Sequence, residues 1–282
     1  MSFNLYEEIT SRIIAQLENG VIPWEQPWVD GAGAWSRATG KNYSLLNQML
    51  LPRGEYATIK QINEAGGKVN KGATAKQVVF WKMLKTTETI DGEEVEKTIP
   101  MLRYYNVFNV KTDTNLEIKH KKFVAQGREN KIDKMEQIKD DYIAKSGVSF
   151  TACDSNRAYY TPTKDAVIVP RIEQFRSVAE YYSTLFHELA HSTGHESRLN
   201  RFVAKTVAFG DEDYSREELV AELTACSILA NNGVETDVSF RNNSAYIGGW
   251  LKALKDDNKA LVWASSRAEK AYNLIMNGED DK

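Results

Sequence analysis

Apolar residues recur every three to four positions at the start of the chain: Leu5, Ile9, Ile13 and Leu17. This period puts them on one face of a helix, which we expect to end at Gly20. The same spacing over residues 43–51 predicts a second helix, and Pro52 ends it. Residues 58–65 predict a third, short helix, whereas the glycine-rich segment 31–40 has no periodicity and predicts a loop around Trp35.

Two later segments are rich in β-branched and aromatic residues, as strands are: residues 77–82 and residues 103–110. The polar stretch between them, around Asp91-Gly92, predicts a hairpin turn or flap. From residue 117 to residue 137 hydrophobicity falls and charge rises. We interpret this stretch as the connection between two domains, partly helical.

The second part of the chain begins with two short predicted strands, residues 148–152 and 166–169. Helices are predicted from about Ser177, from Ser215 to Ala230, and through Trp250. Helices that follow a small sheet are typical of the α+β class. We therefore predict an α+β fold with two domains, residues 1–125 and residues 146–282, and a connecting segment, residues 126–145.

Composition narrows the class of protein. Hydrophobic residues make up 42% of the 282 positions and charged residues 27%, which is ordinary globular usage and excludes a disordered chain. No apolar run approaches the roughly 20 residues of a membrane-spanning helix, and the first residues lack the pattern of a secretory signal. Two cysteines are too few for a disulfide framework. We expect a soluble cytoplasmic protein.

The net charge of −3 hides an asymmetry between the two parts. Residues 1–139 contain 20 Lys and Arg against 17 Asp and Glu, a net of +3, and residues 140–282 contain 16 against 22, a net of −6. Six lysines and a single acid, Glu64, lie between residues 60 and 85. On charge alone, a solvated lysine surface explains this cluster as well as a binding site does.

The sequence His187-Glu188-Leu189-Ala190-His191 is an H-E-x-x-H motif. Residues four apart on a helix share a face, so both imidazoles can bind one metal ion. Glu188 follows the first histidine directly, where its carboxylate can deprotonate a water at the open metal position. The motif predicts a catalytic site for Zn²⁺, with another divalent transition metal as the alternative, and Glu188 as general base.

A catalytic zinc takes three protein ligands, so one is missing from the motif. The metzincin pattern would put a third histidine at position 197, which is Ser197, and that class is excluded. A glutamate from the following helix can serve instead, and Glu218 and Glu222 are both candidates. We favour Glu218 as the ligand, with Glu222 accepting the spare N–H of a ligand histidine. Ser215 could cap this helix in a capping box with Glu218.

Tyr214 directly precedes the helix predicted to carry these two glutamates. Its hydroxyl is a candidate catalytic group that would stabilise an oxyanion. A packed, non-catalytic tyrosine is an equally valid interpretation of the sequence.

Several ordered motifs resemble one known family. HELAHSTGHESRLNR followed by REELVAELTA resembles the peptidase domain of the ArdC-type antirestriction proteins of plasmids and related mobile elements. The segments LYEEITSRIIAQLENGVIPWEQPW, GKNYSLLNQMLL, INEAGGKVNKGATAKQVVFWK and YYNVFNV follow the N-terminal domain of that family in the same order. The resemblance covers nearly the whole chain.

The resemblance implies an N-terminal domain that binds single-stranded DNA, a zincin-like metallopeptidase domain with an unidentified protein substrate, and protection of incoming DNA from host restriction. A non-enzymatic DNA-protecting protein with a structural or idle metal site remains the alternative. Single-strand binders combine a basic groove with aromatic residues on which bases stack. The candidate DNA contacts are Trp35, Tyr43, Lys68, Lys71, Lys76, Trp81 and Lys82.

Overall fold

The structure is a computed structural model that describes residues 4–25, 33–90, 93–120, 129–202, 212–234 and 244–278. Within these segments, no helix combines the length and the hydropathy that crossing a bilayer requires. Contacts divide the described residues into two compact units. The first unit holds residues 4–9 and 33–120, and the second holds residues 10–25 and the described residues from 129 to 278.

The first unit is built on a four-stranded sheet with the order β1-β2-β4-β3. Its strands are β1 (Ala34–Ser36), β2 (Gly54–Ala57), β3 (Lys76–Ile90) and β4 (Glu93–Asn109). β1 and β2 are parallel, and the other neighbouring strands are antiparallel. The helices that begin in this part of the chain are α1 (Leu5–Glu18), α2 (Leu45–Leu50), α3 (Ile59–Glu64) and α4 (Val110–Asp113). The three helices predicted up to residue 65 are confirmed.

β3 and β4 form a long hairpin. They pair from Lys76 opposite Val107 to Ile90 opposite Glu93. Strand β2 pairs only with the last residues of β4, so most of the hairpin extends beyond the sheet as a two-stranded ribbon. Both predicted strands are in the right place but too short. The predicted turn at Asp91-Gly92 lies outside the described residues.

A buried carboxylate holds the sheet together near β1. Glu55 accepts hydrogen bonds from Arg37 at 2.6 Å and from the indole Nε1 of Trp35 at 3.3 Å. It also accepts backbone hydrogen bonds from Lys119 at 3.0 Å and from His120 at 2.8 Å. The prediction that Trp35 lies in a loop is wrong: it is the middle residue of β1 and 5% exposed, because its ring packs in the interior and its N–H serves Glu55.

The second unit has a three-stranded sheet with the order β5-β7-β6. Its strands are β5 (Ser149–Cys153), β6 (Tyr159–Thr161) and β7 (Ala166–Pro170). The two predicted strands correspond to β5 and β7, whereas β6, with three residues, was missed. The helices are α5 (Glu129–Ser146), α6 (Val178–Ser192), α7 (Glu212–Asn231), α8 (Ser244–Asp256) and α9 (Ala260–Asn277). Both units combine helices with a small sheet, which confirms the α+β class.

Helices α6 and α7 pack together in the core of the second unit. Leu185 and Leu189 of α6 and Ala221 and Ala225 of α7 are 0% exposed. The small alanine side chains let the two helices approach closely, so polar residues beside them on α7 come near α6 as well. α7 begins at Glu212, three residues before Ser215. Ser215 therefore lies inside the helix, and the predicted capping box is wrong.

The second unit also includes residues 10–25, and specific contacts explain why. Thr10 donates a hydrogen bond to the carbonyl oxygen of Asn258 at 2.7 Å. Trp24 meets Trp250 edge to face, with the ring centroids 5.2 Å apart. The predicted domains, residues 1–125 and 146–282 with the connecting segment 126–145, stay a prediction.

Candidate metal centre

Helix α6 presents both histidines of the H-E-x-x-H motif on one side. Ser177 caps its start by accepting a hydrogen bond from the backbone N–H of Glu180, and the helix runs without interruption to Ser192. His187 and His191 are one helical turn apart, and their rings meet edge to face with centroids separated by 4.8 Å. The helical spacing alone therefore brings the two imidazoles together.

Helix α7 supplies the third donor. The Nε2 atom of His187 lies 3.4 Å from one carboxylate oxygen of Glu218, and Nε2 of His191 lies 3.4 Å from the other. The two Nε2 atoms are 3.1 Å apart. Ligand atoms of the three residues all lie within 4.8 Å of one another, and among the described residues this is the group that could hold a metal ion.

These distances fit a tetrahedral metal site. Zinc binds histidine nitrogen and carboxylate oxygen at about 2.0–2.2 Å, so two donors of a tetrahedral zinc are about 3.4 Å apart. The two Nε2 atoms are 3.1 Å apart and each lies 3.4 Å from a different oxygen of Glu218, so the two nitrogens and the carboxylate group converge on one position at about this spacing. Three protein donors leave the fourth position for water or substrate.

Two further glutamates of α7 face the other nitrogen of each histidine. Glu222 has a carboxylate oxygen 3.4 Å from Nδ1 of His187. Glu217, which is not among the predicted site residues, has a carboxylate oxygen 3.6 Å from Nδ1 of His191. Carboxylates in this position accept the spare ring N–H, which turns the Nε2 lone pair toward the metal position.

The carboxylates change the proton affinity of the rings. Burial alone would lower the pKa of His187, but the carboxylates of Glu218 and Glu222 outweigh it and raise the pKa to about 10. Burial is likewise outweighed for His191, whose pKa Glu217 and Glu218 raise to about 9. Burial would raise the pKa of Glu218, but the two histidines lower it. A bound metal ion thus competes with protons at this site.

The two other groups predicted for catalysis differ in what the structure describes. Glu188 follows His187 on α6 and is 9% exposed, and its charge helps to raise the pKa of that ring. Its role as general base stays a prediction. The side chain of Tyr214 lies outside the described part of the structure, so its role in stabilising an oxyanion stays a prediction.

The predicted DNA contacts in the first unit do not form one surface. Trp35 is buried in β1 and offers no face to a base. Lys76 is ion-paired with Asp113 at 3.0 Å. Trp81 and Lys82 are neighbours in β3, so they point to opposite faces of the hairpin. The remaining candidates are Tyr43, which is half-buried, and Lys68 and Lys71, which are exposed between α3 and β3.

One face of the hairpin is both basic and aromatic. Strand register and alternation put Phe80, Lys82, Lys97, Arg103 and Tyr105 on this side, which we call the basic face. Among its described positions, residues 76–86 of β3 and 97–107 of β4, no acid occurs. The rings of Phe80 and Tyr105 have centroids 5.7 Å apart and are 42% and 37% exposed.

Phe80, Arg103 and Tyr105, which are exposed on this face, are not among the predicted DNA contacts. The signal that could have found them is the two-residue period of the strands, which separates Phe80 and Lys82 from Trp81. Tyr43 belongs beside this group, because the hydroxyl of Tyr105 is close enough to help raise the pKa of Tyr43, after burial. On the opposite face, Trp81 and Tyr104 are also exposed.

Comparisons with known proteins match both parts of the chain to known families. Residues 3–108 match the family "N-terminal domain of anti-restriction factor ArdC", and residues 137–267 match "Zincin-like metallopeptidase". The crystal structure of the Mn(II)-bound antirestriction protein ArdC from plasmid R388 is similar over 97% of both chains, with 32% identity and a TM-score of 0.73. The metal-free structure of that protein gives 33% identity and a TM-score of 0.71.

The chain is also similar to a segment of a larger enzyme. It is 31% identical to the DNA primase TraC of Escherichia coli over 96% of its own length. It spans only 20% of that relative and 27% of a second TraC primase. The likeness to R388 ArdC, in contrast, covers both chains almost completely. From these matches together, the chain belongs to the ArdC family of antirestriction proteins.

Proposed function

We propose that the second unit is a zinc-dependent peptidase. The observation that carries this proposal is the convergence of His187, His191 and Glu218 with donor separations near those of a tetrahedral zinc site. The donor set of two imidazoles and one carboxylate suits zinc better than manganese. The crystal structure of the R388 protein is Mn(II)-bound, which supports the binding of a divalent ion by this chain.

The residues of the chain divide the chemistry between them. A zinc ion, when bound, would supply Lewis acidity, lowering the pKa of water and polarising a peptide carbonyl. Glu188 takes the proton of the attacking water on its carboxylate and returns it to the leaving amine. The carboxylates of Glu217 and Glu222 hold the two imidazoles in the orientation that binding requires.

Substitution of the general base separates catalysis from metal binding. Glu188→Gln keeps the size of the side chain but cannot accept the proton, so we expect peptide hydrolysis to fall at least about 100-fold. Zinc content and melting temperature should match those of the wild type. The assay is proteolysis of a denatured-protein or peptide-library substrate by the zinc-loaded chain. Hydrolysis unchanged in Glu188→Gln would refute the proposed mechanism.

We further propose that the first unit binds single-stranded DNA on the basic face of the hairpin. The face offers flat aromatic side chains next to cationic ones, and its described positions within residues 76–86 and 97–107 hold no acid that would repel phosphates. Arg103 pairs with Phe80 across the two strands, so a phosphate and a stacked base can be bound side by side. The primase relatives also act on nucleic acid, as their name says, which supports a nucleic acid as partner.

The opposite face of the same hairpin provides the control for this proposal. Phe80→Ala and Tyr105→Ala should each weaken binding of a single-stranded oligonucleotide by about 1–3 kcal/mol. Arg103→Gln should weaken it and flatten the dependence of affinity on salt by roughly 0.7 log units per log unit. Trp81→Ala and Tyr104→Ala remove equally exposed rings from the other face and should leave affinity unchanged. Equal losses on both faces would disprove the assignment.

The proposed antirestriction role can be tested with variants that lack single-strand binding or peptide hydrolysis. We expect transferred DNA to be protected from restriction by the wild-type chain and not by the Phe80→Ala/Arg103→Gln double variant. If proteolysis is part of the protection, Glu188→Gln also loses it while still binding DNA. Protection that persists in Glu188→Gln would support the alternative function, a DNA-protecting protein that needs no hydrolysis.

A further inference from the structure

We propose that Glu217 and Arg201 form a positioning pair for His191. The metal affinity of the site then depends on a salt bridge whose two members do not bind the metal. This inference rests on the proposed function, because it concerns the same metal site.

The first step is the contact between Glu217 and the histidine. Glu217 directly precedes the ligand Glu218 on α7, and one of its carboxylate oxygens lies 3.6 Å from Nδ1 of His191. An N–H on Nδ1 leaves Nε2 unprotonated and aimed at the metal position. The orientation of this carboxylate therefore determines which nitrogen of His191 is available to the metal.

The second step is what holds the carboxylate. Arg201 donates from Nε to one oxygen of Glu217 at 3.1 Å and from Nη2 to the other at 2.6 Å. The planar guanidinium matches both oxygens, so the carboxylate cannot rotate without breaking a hydrogen bond. The side chain of Arg201 is 5% exposed and that of Glu217 13% exposed, so solvent screens the pair little.

The third step is the link from Arg201 back to the histidine helix. Nη2 of Arg201 also donates to the carbonyl oxygen of Ala190 at 2.9 Å, and Nη1 donates to the hydroxyl of Thr193 at 2.7 Å. Ala190 precedes His191 and Thr193 ends α6. One guanidinium thus fixes both the backbone beside His191 and the carboxylate that faces its ring.

His187 is held differently, which makes the pair specific to His191. Its facing carboxylate, Glu222, accepts a hydrogen bond at 3.5 Å from the thiol of Cys226, one turn further along α7. A thiol is a weak donor and brings no charge, whereas the guanidinium of Arg201 is charged and binds both oxygens of Glu217. The pair of Glu217 with Arg201 acts on His191, whose Nδ1 faces Glu217.

The segment after α6 that contains Arg201 also contains a residue for a matched control variant, Arg198. Arg198 is also 5% exposed, is bound by both oxygens of Asp165, and donates from Nε to the carbonyl oxygen of Ser192 at 2.8 Å. It therefore resembles Arg201 in burial, pairing and attachment to the end of α6. Its partner Asp165 faces no metal ligand, so Arg198→Met reports the structural cost alone.

The test measures zinc affinity of the full chain by competition with a chromophoric chelator, together with the visible spectrum of the Co²⁺ form. We expect Glu217→Ala and Arg201→Met to bind zinc about 10–100-fold more weakly and to change the Co²⁺ bands. The Glu217→Ala/Arg201→Met double variant should bind zinc no more weakly than the weaker-binding single variant, because the two residues act as one unit. Glu217→Gln keeps a hydrogen-bond acceptor and should lose less zinc affinity than Glu217→Ala. Arg198→Met should lower the melting temperature but leave zinc affinity within about twofold.

Three outcomes would overturn the proposal. Zinc affinity and Co²⁺ bands like those of the wild type in Glu217→Ala would show that the carboxylate does not position the ring. An equal loss in Arg198→Met would show that the effect comes from the end of α6. If Arg201→Met does not fold, as circular dichroism would reveal, additive losses in Glu217→Gln and Arg201→Lys would show that the pair is uncoupled. A wild-type chain that binds no zinc would instead refute the proposed function.

Discussion

Three glutamates of helix α7 lie beside the two histidines of the motif. The ring nitrogen that each glutamate faces determines the role of that glutamate. Glu218 faces the Nε2 atoms of both rings, whereas Glu217 and Glu222 face Nδ1 of one ring each. The two nitrogens of an imidazole point away from each other, so a carboxylate beside Nδ1 cannot also reach an ion bound at Nε2. On this basis we propose Glu218 as the metal ligand.

Zinc binding should distinguish these glutamates. Glu218→Ala removes one of three donors, and we expect no zinc to remain after dialysis. Glu222→Ala leaves all donors in place and should weaken binding about 10–100-fold. Metal analysis and calorimetric titration measure both effects, with Glu196→Ala, an exposed residue of the loop after α6, as the control. Complete loss of zinc in Glu222→Ala and retention in Glu218→Ala would reverse the assignment.

The sequence was enough to predict the residues of the H-E-x-x-H motif. It was not enough to predict the residues that hold them in position. His187, Glu188 and His191 are related by helical spacing, which a linear pattern contains. Arg201 reaches Glu217 only because the chain after α6 folds back against α7. No local periodicity encodes such a contact, so it required the structure.

At the scale of elements, the hairpin shows a second limit of sequence patterns. β-Branched and aromatic residues predict a strand where the hairpin packs into the core, as at Val78 and Val107, which are 2% and 0% exposed. Further out, both faces of the ribbon are exposed, and the alternation of apolar and polar residues disappears. The strands β3 and β4 continue there through cross-strand pairing, which depends on the partner strand.

Glu55 makes the first unit sensitive to acid. Burial would raise the pKa of Glu55, but hydrogen bonds from Lys119, His120, Arg37 and Trp35 lower it. A carboxyl whose pKa is lowered by folding stabilises the fold above its unfolded pKa of about 4.3, and this stabilisation is lost as pH falls through the folded pKa. We therefore expect the free energy of unfolding of the first unit to decrease from about pH 5 downward.

Replacing the carboxyl tests the origin of this dependence. Glu55→Gln leaves Arg37 without its anion and should cost about 3–5 kcal/mol at pH 7, because one partner of a buried pair remains. The decrease in the free energy of unfolding at acid pH should then be smaller than in the wild type. Urea unfolding between pH 7 and pH 3 measures the loss of stability at pH 7 and its pH dependence, with Glu64→Gln on the exposed side of α3 as the control. A pH dependence unchanged by Glu55→Gln would assign it to other groups.

At the scale of the whole molecule, metal should stabilise one unit and not the other. The proposed ligands all lie in the second unit, so zinc at 1,000 times its dissociation constant adds about 4 kcal/mol to the stability of that unit. For a unit of this size, the melting temperature should rise by about 10 °C. Calorimetry with zinc or with a chelator measures the shift, and Glu218→Ala should show none. A shift of the first unit's transition would contradict this expectation.

Residues 10–25, which belong to the second unit, have a consequence for biosynthesis. Thr10 bonds to Asn258, Lys255 pairs with Glu18 at 2.7 Å, and Trp24 packs against Trp250. Residues 10–25 therefore pair with α8 and with the residue two positions after it, more than 200 positions later in the chain. Bringing such distant segments together costs chain entropy before it stabilises the fold. These contacts can form only after α8 has been synthesised, so residues 10–25 are without these partners while the chain between the two segments is made.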